Sequence, residues 1–316
     1  MSYTLHSIVT PEDWALATDL RNQFWPSYPM VAEQTMAYAA DVPTKEQATR
    51  LIVRSDGEPI AYLVIQKAFW YATPGRFEAR LFTAAIEEPD RHLERLLGLI
   101  WSLVKFQDGN NLGIWIQDDK EHYIRAFERN GLVATQRNPE SGINPQEFEA
   151  APYLDLLPSL ENLGYRFTNL AHLAEEFPDW IRRSYDLEMA LMRDVPLPDP
   201  WVDIPFESFE KERLSPFFQP DTQFYAVFDG EWVAASGLTL NKADPTVMNT
   251  GLTGVLPAHR RRGLAKVLKA LGLAEAKRLG VKLVTTDNEV NNPMYLLNQE
   301  LGYHRLFDWV CYERKA

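Results

Sequence analysis

The chain has 316 residues, enough for about two ordinary domains, and 46% hydrophobic with 24% charged residues is the composition of a globular protein in water. No run approaches the roughly 18 consecutive apolar residues of a membrane span. A formal net charge of -12 argues against the broad basic face that nucleic-acid backbones require, and a single cysteine excludes an internal disulfide and fits a reducing cytoplasm.

The opening "MSYTLHSIVTPEDWALATDL" has no basic leader ahead of an apolar core, so no secretory signal is expected. Residues 52–68, "IVRSDGEPIAYLVIQKA", read as an apolar strand, an Asp-Gly-Glu hairpin turn and a second strand. Residues 91–109 place Leu93, Leu96, Leu97 and Ile100 at i, i+3, i+4 and i+7, the stripe of a core-facing helix. A second helix-like stretch, "YIRAFERNGL", ends at Gly131. Residues 137–148, "RNPESGINPQEF", supply turn and breaker residues, and the helix-like "APYLDLLPSLENLG" follows.

The pattern then repeats. "YAVFDGEWVAASGLTLNKA" (225–243) parallels residues 52–68, with Asp56 and Asp229 offset by 229 − 56 = 173. In residues 262–280, Leu264, Val267, Leu268 and Leu271 fall where Leu93, Leu96, Leu97 and Ile100 fell, and Gly302 follows Gly131 by 302 − 131 = 171. Three blocks at nearly one offset indicate a tandem duplication. The expected fold is α/β with an α+β mixed sheet, in two domains, 1–150 and 151–316, each a mostly antiparallel sheet flanked by helices.

The stretch "VLPAHRRRGLAKVLK" (255–269) is the exception in an acidic chain: Arg260, Arg261, Arg262, Lys266 and Lys269 gather at one helical start. A strand, a glycine turn and a helix aim free backbone N–H groups at one point, where the helix dipole and nearby cations favour an anion such as a pyrophosphate. A basic helix face that is merely solvated or paired with acids is the alternative reading of the same residues. Cys311, between Val310 and Tyr312, reads as a small apolar residue in a late strand.

Residues 260–265, with Val255-Leu256-Pro257 before them, resemble the Arg/Gln-x-x-Gly-x-Gly/Ala signature of the GNAT superfamily of acyl-CoA N-acyltransferases. "TDNEVNNPMYLLNQELGY" (286–303) is similar to the family's next element, beginning 291 − 260 = 31 residues later, with Asn291, Met294, Leu297 and Gly302-Tyr303 at its marked positions. The match covers about residues 160–316, and the duplication is similar to tandem-domain GNAT proteins of the mycothiol synthase type. The resemblance implies that acetyl-CoA is the co-substrate, that no metal is needed, and that Val255, Arg260, Arg261, Arg262, Gly263, Leu264, Ala265, Lys266, Asn288 and Asn291 contact it. Val255 would direct a backbone N–H at the thioester carbonyl.

In many members a tyrosine protonates the leaving thiolate, but Asn298 stands at that position, leaving Tyr295, Tyr303, a water or unassisted departure. The first half's equivalent turn, "EEPDRH" (87–92), carries carboxylates where the second carries arginines, so it reads as a degenerate copy. The acceptor side is expected at residues 173–208, where Asp194, Asp199, Asp203, Glu207 and Trp201 would suit a cationic amine. The resemblance thus implies a cytoplasmic N-acetyltransferase acting on a small-molecule amine, without nucleic-acid or membrane partners, as a monomer built like a pseudo-dimer or as a homodimer. A non-catalytic acyl-CoA-binding protein, which Asn298 favours, and a tRNA-dependent aminoacyl transferase, which the intact turn and the acidic charge oppose, are the alternatives.

Overall fold

The computed structural model describes residues 2–40, 48–84 and 89–316. In chain order the first elements are β1 (Tyr3–Ser7), α1 (Pro11–Phe24), α2 (Ala32–Ala40), β2 (Thr49–Ser55), β3 (Glu58–Lys67), β4 (Arg76–Thr83), α3 (Pro89–Phe106), β5 (Asn111–Gln117), α4 (Glu121–Arg129) and β6 (Val133–Ile143). Then come α5 (Ala151–Leu154), α6 (Leu157–Asn162), β7 (Tyr165–Asn169), α7 (Leu170–Glu176), α8 (Trp180–Met192), α9 (Phe206–Arg213), β8 (Gln223–Phe228) and β9 (Glu231–Leu240). The last are β10 (Val247–Val255), α10 (Leu264–Arg278), β11 (Leu283–Asp287), α11 (Pro293–Glu300) and β12 (His304–Lys315).

These elements form two compact units. One holds the chain up to Asn138 with Pro198–Val202 and Phe307–Ala316, and the other holds Pro139–Leu197 and Asp203–Leu306. Each unit therefore includes strand residues from the opposite half of the sequence. Most of β12 lies in the first unit, pairing antiparallel with β5 from Trp309 to Lys315, and the end of β6 lies in the second, pairing antiparallel with β11.

In the first unit, β1, β2, β3 and β4 pair antiparallel in order, and β4 pairs parallel with β5. Alternation places Leu51, Val53, Leu63 and Ile65 on one face against Leu93, Leu96, Leu97 and Ile100 of α3. Ile52, Tyr62 and Phe82 face the other way, against Ala17 and Leu20 of α1. The second unit repeats this plan. Strands β7, β8, β9 and β10 pair antiparallel, and β10 pairs parallel with β11. Ala226 and Ala234 face Leu264, Val267 and Leu268 of α10, while Tyr225 and Ala235 face Leu173 of α7 and Leu187 and Leu191 of α8.

The duplication extends to backbone detail. Both hairpins turn on a left-handed Asp-Gly pair, Asp56-Gly57 and Asp229-Gly230. The register breaks between Val53 and Arg54 in one and between Ala226 and Val227 in the other, with 226 − 53 = 173 again. The copies differ where a site would lie. β10 breaks register against β9 between Thr250 and Thr253, whereas β4 pairs with β3 without a break from Phe77 to Thr83.

Two expectations change. Residues 137–143, expected as a turn at the domain boundary, are the end of β6: Glu140–Ile143 are held by β11, and Pro139 contributes only its carbonyl, which accepts from the Asn288 N–H. Pairing across the sheet outweighs a local breaker when the missing N–H is not needed. Lys269, counted among the basic cluster, is buried on the core face of α10, 4% exposed, with its ammonium 5.6 Å from the centre of the Tyr303 ring. Cys311 lies fully buried in β12, its thiol pushed up to about 12 by that burial, as an inert core residue requires.

Burial pulls the Lys269 ammonium down to about 7 from an ordinary value of 10.5. Between those two values the unfolded chain holds a proton that the folded chain lacks, so this group makes stability rise with pH across that window. The contribution is lost as pH falls toward 7. Lys269→Met is expected to raise the thermal midpoint at pH 7 and to remove a rise of about 2 kcal/mol between pH 7 and 9. Calorimetric melts giving the same slope in both proteins would contradict this.

Candidate functional site

The site lies in the second unit, where two neighbouring strands separate. β10 and β11 pair only through Val247–Asn249 against Leu283–Thr285, and the last cross-link is the Asn249 amide donating to the Thr285 hydroxyl at 2.9 Å. Beyond it β10 continues to Val255, bonded to β9 but not to β11. Thr253, Gly254 and Val255 line a cavity of about 620 Å³ together with residues from the end of α8, the start of α10 and α11.

The floor of this cavity is the turn into α10. Gly263 is the N-cap, with φ +90° and no side chain capping the helix. The first N–H groups of α10 therefore lack both an intrahelical acceptor and a side-chain substitute. Arg261 is also left-handed, at φ +62°, while Arg262 between them is not. Alternating handedness curls the chain so that successive N–H groups converge, which makes an anion-binding concavity. A non-glycine residue held at positive φ costs about 1–2 kcal/mol, and such strain is concentrated at functional turns.

Arg260, Arg261 and Lys266 add cationic side chains to the lining, and Gly263, Leu264 and Ala265 add main chain. Two of the cations already have carboxylate partners within the same cavity. Arg260 bonds Asp194 and also donates from Nε to the Val255 carbonyl at 2.8 Å, and Lys266 bonds Glu300. An incoming polyphosphate thus competes with Asp194 and Glu300 for these two groups. Arg262 stands outside the lining, with its guanidinium 5.9 Å from the Tyr165 ring centre and its Nη2 donating to the Ala258 carbonyl at 3.4 Å. His259 lines the cavity with its Nδ1 2.8 Å from the Tyr165 hydroxyl.

The asparagines and tyrosines of the second motif separate. Asn291 is exposed and bonds Glu289 through its main-chain N–H and its amide, whereas Asn292 lines the cavity and caps α11 by accepting from the Met294 N–H at 3.0 Å. Pro293, Met294, Leu297 and Glu300 share the face of α11 that meets the cavity. Tyr295 and Asn298 are not on that face. Tyr295 is half-buried, and Asn298 is buried, donating from Nδ2 to the Asn288 Oδ1 at 2.6 Å while its own Oδ1 has no partner. Tyr303 is buried in the core, and its hydroxyl resists ionisation for that reason.

Three of the four acids expected to meet an amine are already engaged. Asp199 bonds Arg76 and the Thr73 hydroxyl, Asp203 bonds Arg193, Asp194 bonds Arg260, and Glu207 is exposed. Trp201 forms an isolated bridge with Tyr71. Outside that set, Glu188 of α8 lines a second, smaller cavity together with Glu212. It was legible as a carboxylate in the buried stripe Ser184, Leu187, Leu191, spaced i−4, i−1 and i+3 from it. Glu87 and Glu88 of the first-half turn lie outside the described residues. Among the described residues there is no cluster of His, Cys, Asp and Glu arranged to hold a metal, and no helix is long and apolar enough to cross a membrane.

A strand that parts from its parallel neighbour, a left-handed glycine turn and an uncapped helix thus meet at one cavity. Residues 178–303 match the model of the acetyltransferase (GNAT) family. The whole chain has the tandem GNAT fold. It is similar to a tandem GNAT protein from the clavulanic acid biosynthesis pathway, at 15% identity and TM-score 0.74 over 99% of this chain and 98% of that one. It is also similar to a GCN5-related N-acetyltransferase from Sphaerobacter thermophilus (16%, TM-score 0.67, 99% and 95%) and to a GNAT acetyltransferase from Colwellia psychrerythraea (13%, TM-score 0.62, 99% and 100%). No curated protein sequence matches the chain.

Two outcomes test this anion site by calorimetric titration with coenzyme A. Gly263→Glu, which adds both a side chain at positive φ and a negative charge, is expected to abolish binding while the fold survives. Asp194→Asn is expected to tighten binding severalfold, and less than about tenfold because an exposed ion pair contributes at most about 1 kcal/mol. A folded Gly263→Glu variant with unchanged affinity would move the site elsewhere.

Proposed function

We propose that the chain transfers an acetyl group from acetyl-CoA to the amine of a small molecule, with the reaction in its second unit. The observation that carries this reading is the uncapped N-terminus of α10 opening beside the unpaired edge of β10 in one cavity. The α10 N–H groups, Arg260, Arg261 and Lys266 would hold the pyrophosphate of the donor. The pantetheine arm would run along Val255, Gly254 and Thr253, whose main chain is free on the β11 side, so a backbone N–H can meet the developing oxyanion. The amine attacks the thioester carbon, the C–N bond forms, the C–S bond breaks, and the sulfur leaves.

The leaving sulfur finds no evident side-chain acid on the cavity face of α11. Asn298 has no proton to give at a useful pKa and holds Asn288, and Tyr295 lies off that face. A thiol of pKa about 8.5 leaves tolerably as thiolate at neutral pH, so a water or unassisted departure suffices. The first unit lacks the break in β4 that corresponds to the one in β10, which supports a degenerate copy and one CoA site per chain. Asn298 also favours a second reading, an acyl-CoA-binding protein without turnover.

Thiol release from acetyl-CoA against a panel of amines separates the two. Transfer requires amine-dependent release, and binding in the absence of any release leaves only the second reading. Calorimetry is expected to give one site per chain. Tyr295→Phe is expected to keep turnover within about twofold, whereas a loss of about 10²-fold with unchanged CoA affinity would identify Tyr295 as the acid.

A further inference from the structure

Another cavity of the second unit, about 420 Å³, lies at the far end of α10. The first turn of that helix, Leu264 to Lys266, lines the cavity of the glycine turn, whereas Glu275 and Arg278 of its last turn, with Leu279 after them, line this one. At a rise of 1.5 Å per residue, Leu264 and Arg278 stand about 21 Å apart along the helix. A small molecule held here is therefore out of reach of a reaction at the edge of β10. The opposite wall comes from the turn before β8, with Gln219 and Asp221, and from Lys242 just beyond β9.

Charges of both signs line this cavity, and one of each lacks a bonded partner. Glu275 takes both arms of Arg278, accepting from Nη2 at 2.6 Å and from Nε at 2.8 Å. Lys242 is exposed and has no ion-pair partner among the described residues. Asp221, also exposed, makes no ion pair, and the cation that feels its charge is Arg278, which Glu275 already holds. Gln219 adds a neutral donor. Its Oε1 accepts from the Leu240 N–H at 2.8 Å, which pins the amide, while its buried Nε2 has no acceptor. Phe224, Leu240 and Leu279 supply apolar surface between these groups. The fold does not demand this polar set. In the first unit the offset of the matching helices, 262 − 91 = 171, puts a fully buried Val104 in the place of Glu275 and Gln107 in the place of Arg278.

We propose that this cavity binds a free α-amino acid with an apolar or aromatic side chain, as a ligand that is not a reactant. The ligand's carboxylate meets the Lys242 ammonium and the Gln219 amide N–H, its ammonium meets Asp221, and its side chain packs on Phe224, Leu240 and Leu279. The size suits this class. Sites for small ligands begin at about 300 Å³, and a benzene ring fills about 150 Å³, which leaves room for the two charged groups beside an aromatic side chain. A molecule bound there joins the turn before β8 and the end of β9 to the last turn of α10, so it stabilises the second unit by mass action. Such binding needs no turnover, so it holds whether or not the chain transfers acetyl groups.

The test is calorimetric titration of the full chain with L-phenylalanine and L-leucine, beside phenethylamine and 3-phenylpropionate, which keep the ring and lose one charge each. The amino acids are expected to bind once per chain with a Kd of about 1 mM or tighter, the range open to a ligand of this size. Each single-charge analogue is expected to bind at least about fivefold more weakly, the scale of one exposed charge contact. Lys242→Met and Asp221→Asn replace exposed side chains, so both are expected to melt as the wild type does and to weaken phenylalanine by about fivefold. The proposal is overturned by no binding of either amino acid up to about 20 mM, well above that Kd. It is equally overturned by either analogue matching phenylalanine, which removes the zwitterion, or by wild-type affinity in either folded variant, which puts the ligand elsewhere.

Discussion

The site depends on a shortage of hydrogen-bond partners at two adjacent places. The N–H groups at the start of α10 have no acceptor because Gly263, left-handed and without a side chain, cannot cap them. The edge of β10 beyond Asn249 has no partner strand because β11 pairs with only the first three residues. Unsatisfied main-chain groups are expensive to bury, so they persist where solvent or a ligand can reach them. Here both open into one cavity. A donor with an anionic end and an extended amide-bearing arm would satisfy both sets at once.

Charge reinforces this arrangement and also regulates it. In a chain with a net charge of -12, cations at a helix start attract acids from neighbouring elements, and Asp194 and Glu300 take up Arg260 and Lys266. These pairs are partly exposed, so each contributes little to stability and would yield to a polyphosphate. Arg261 has a different role. Its left-handed backbone shapes the turn as much as its side chain charges it.

Buried ionisable groups lie elsewhere in the second unit. Lys269 sits in the core of α10 against Tyr303, where desolvation acts without a compensating carboxylate. Glu188 and Arg213 are desolvated as a pair, and removing one partner would leave the other charge uncompensated. Gly251 and Leu252, within the strand irregularity between Thr250 and Thr253, line the cavity that holds this pair, and the unbroken β4 of the first unit has no counterpart to it.

Local chemistry made much of this legible in the sequence. The Asp-Gly hairpin turns, the amphipathic stripes of α3 and α10 and the glycine turn after three arginines each depend on residues within a few positions of one another, so the pattern alone specified them. The tandem fold followed from the repeat offset for the same reason. Contacts between distant residues were decided only by tertiary structure. Glu140–Ile143 became strand because β11 supplied partners, and Lys269 turned inward because the helix stripe there is wider than the apolar pattern suggested. Asn292 replaced Asn291 in the cavity lining because capping α11 turns its neighbour toward Glu289. The acids at Asp194, Asp199 and Asp203 found arginines 66, 123 and 10 residues away, while Glu188 came to face a cavity. A sequence shows which side chains carry charge, but which charges meet depends on the packing of helices and strands far apart in the chain, and that packing is set by the whole core at once.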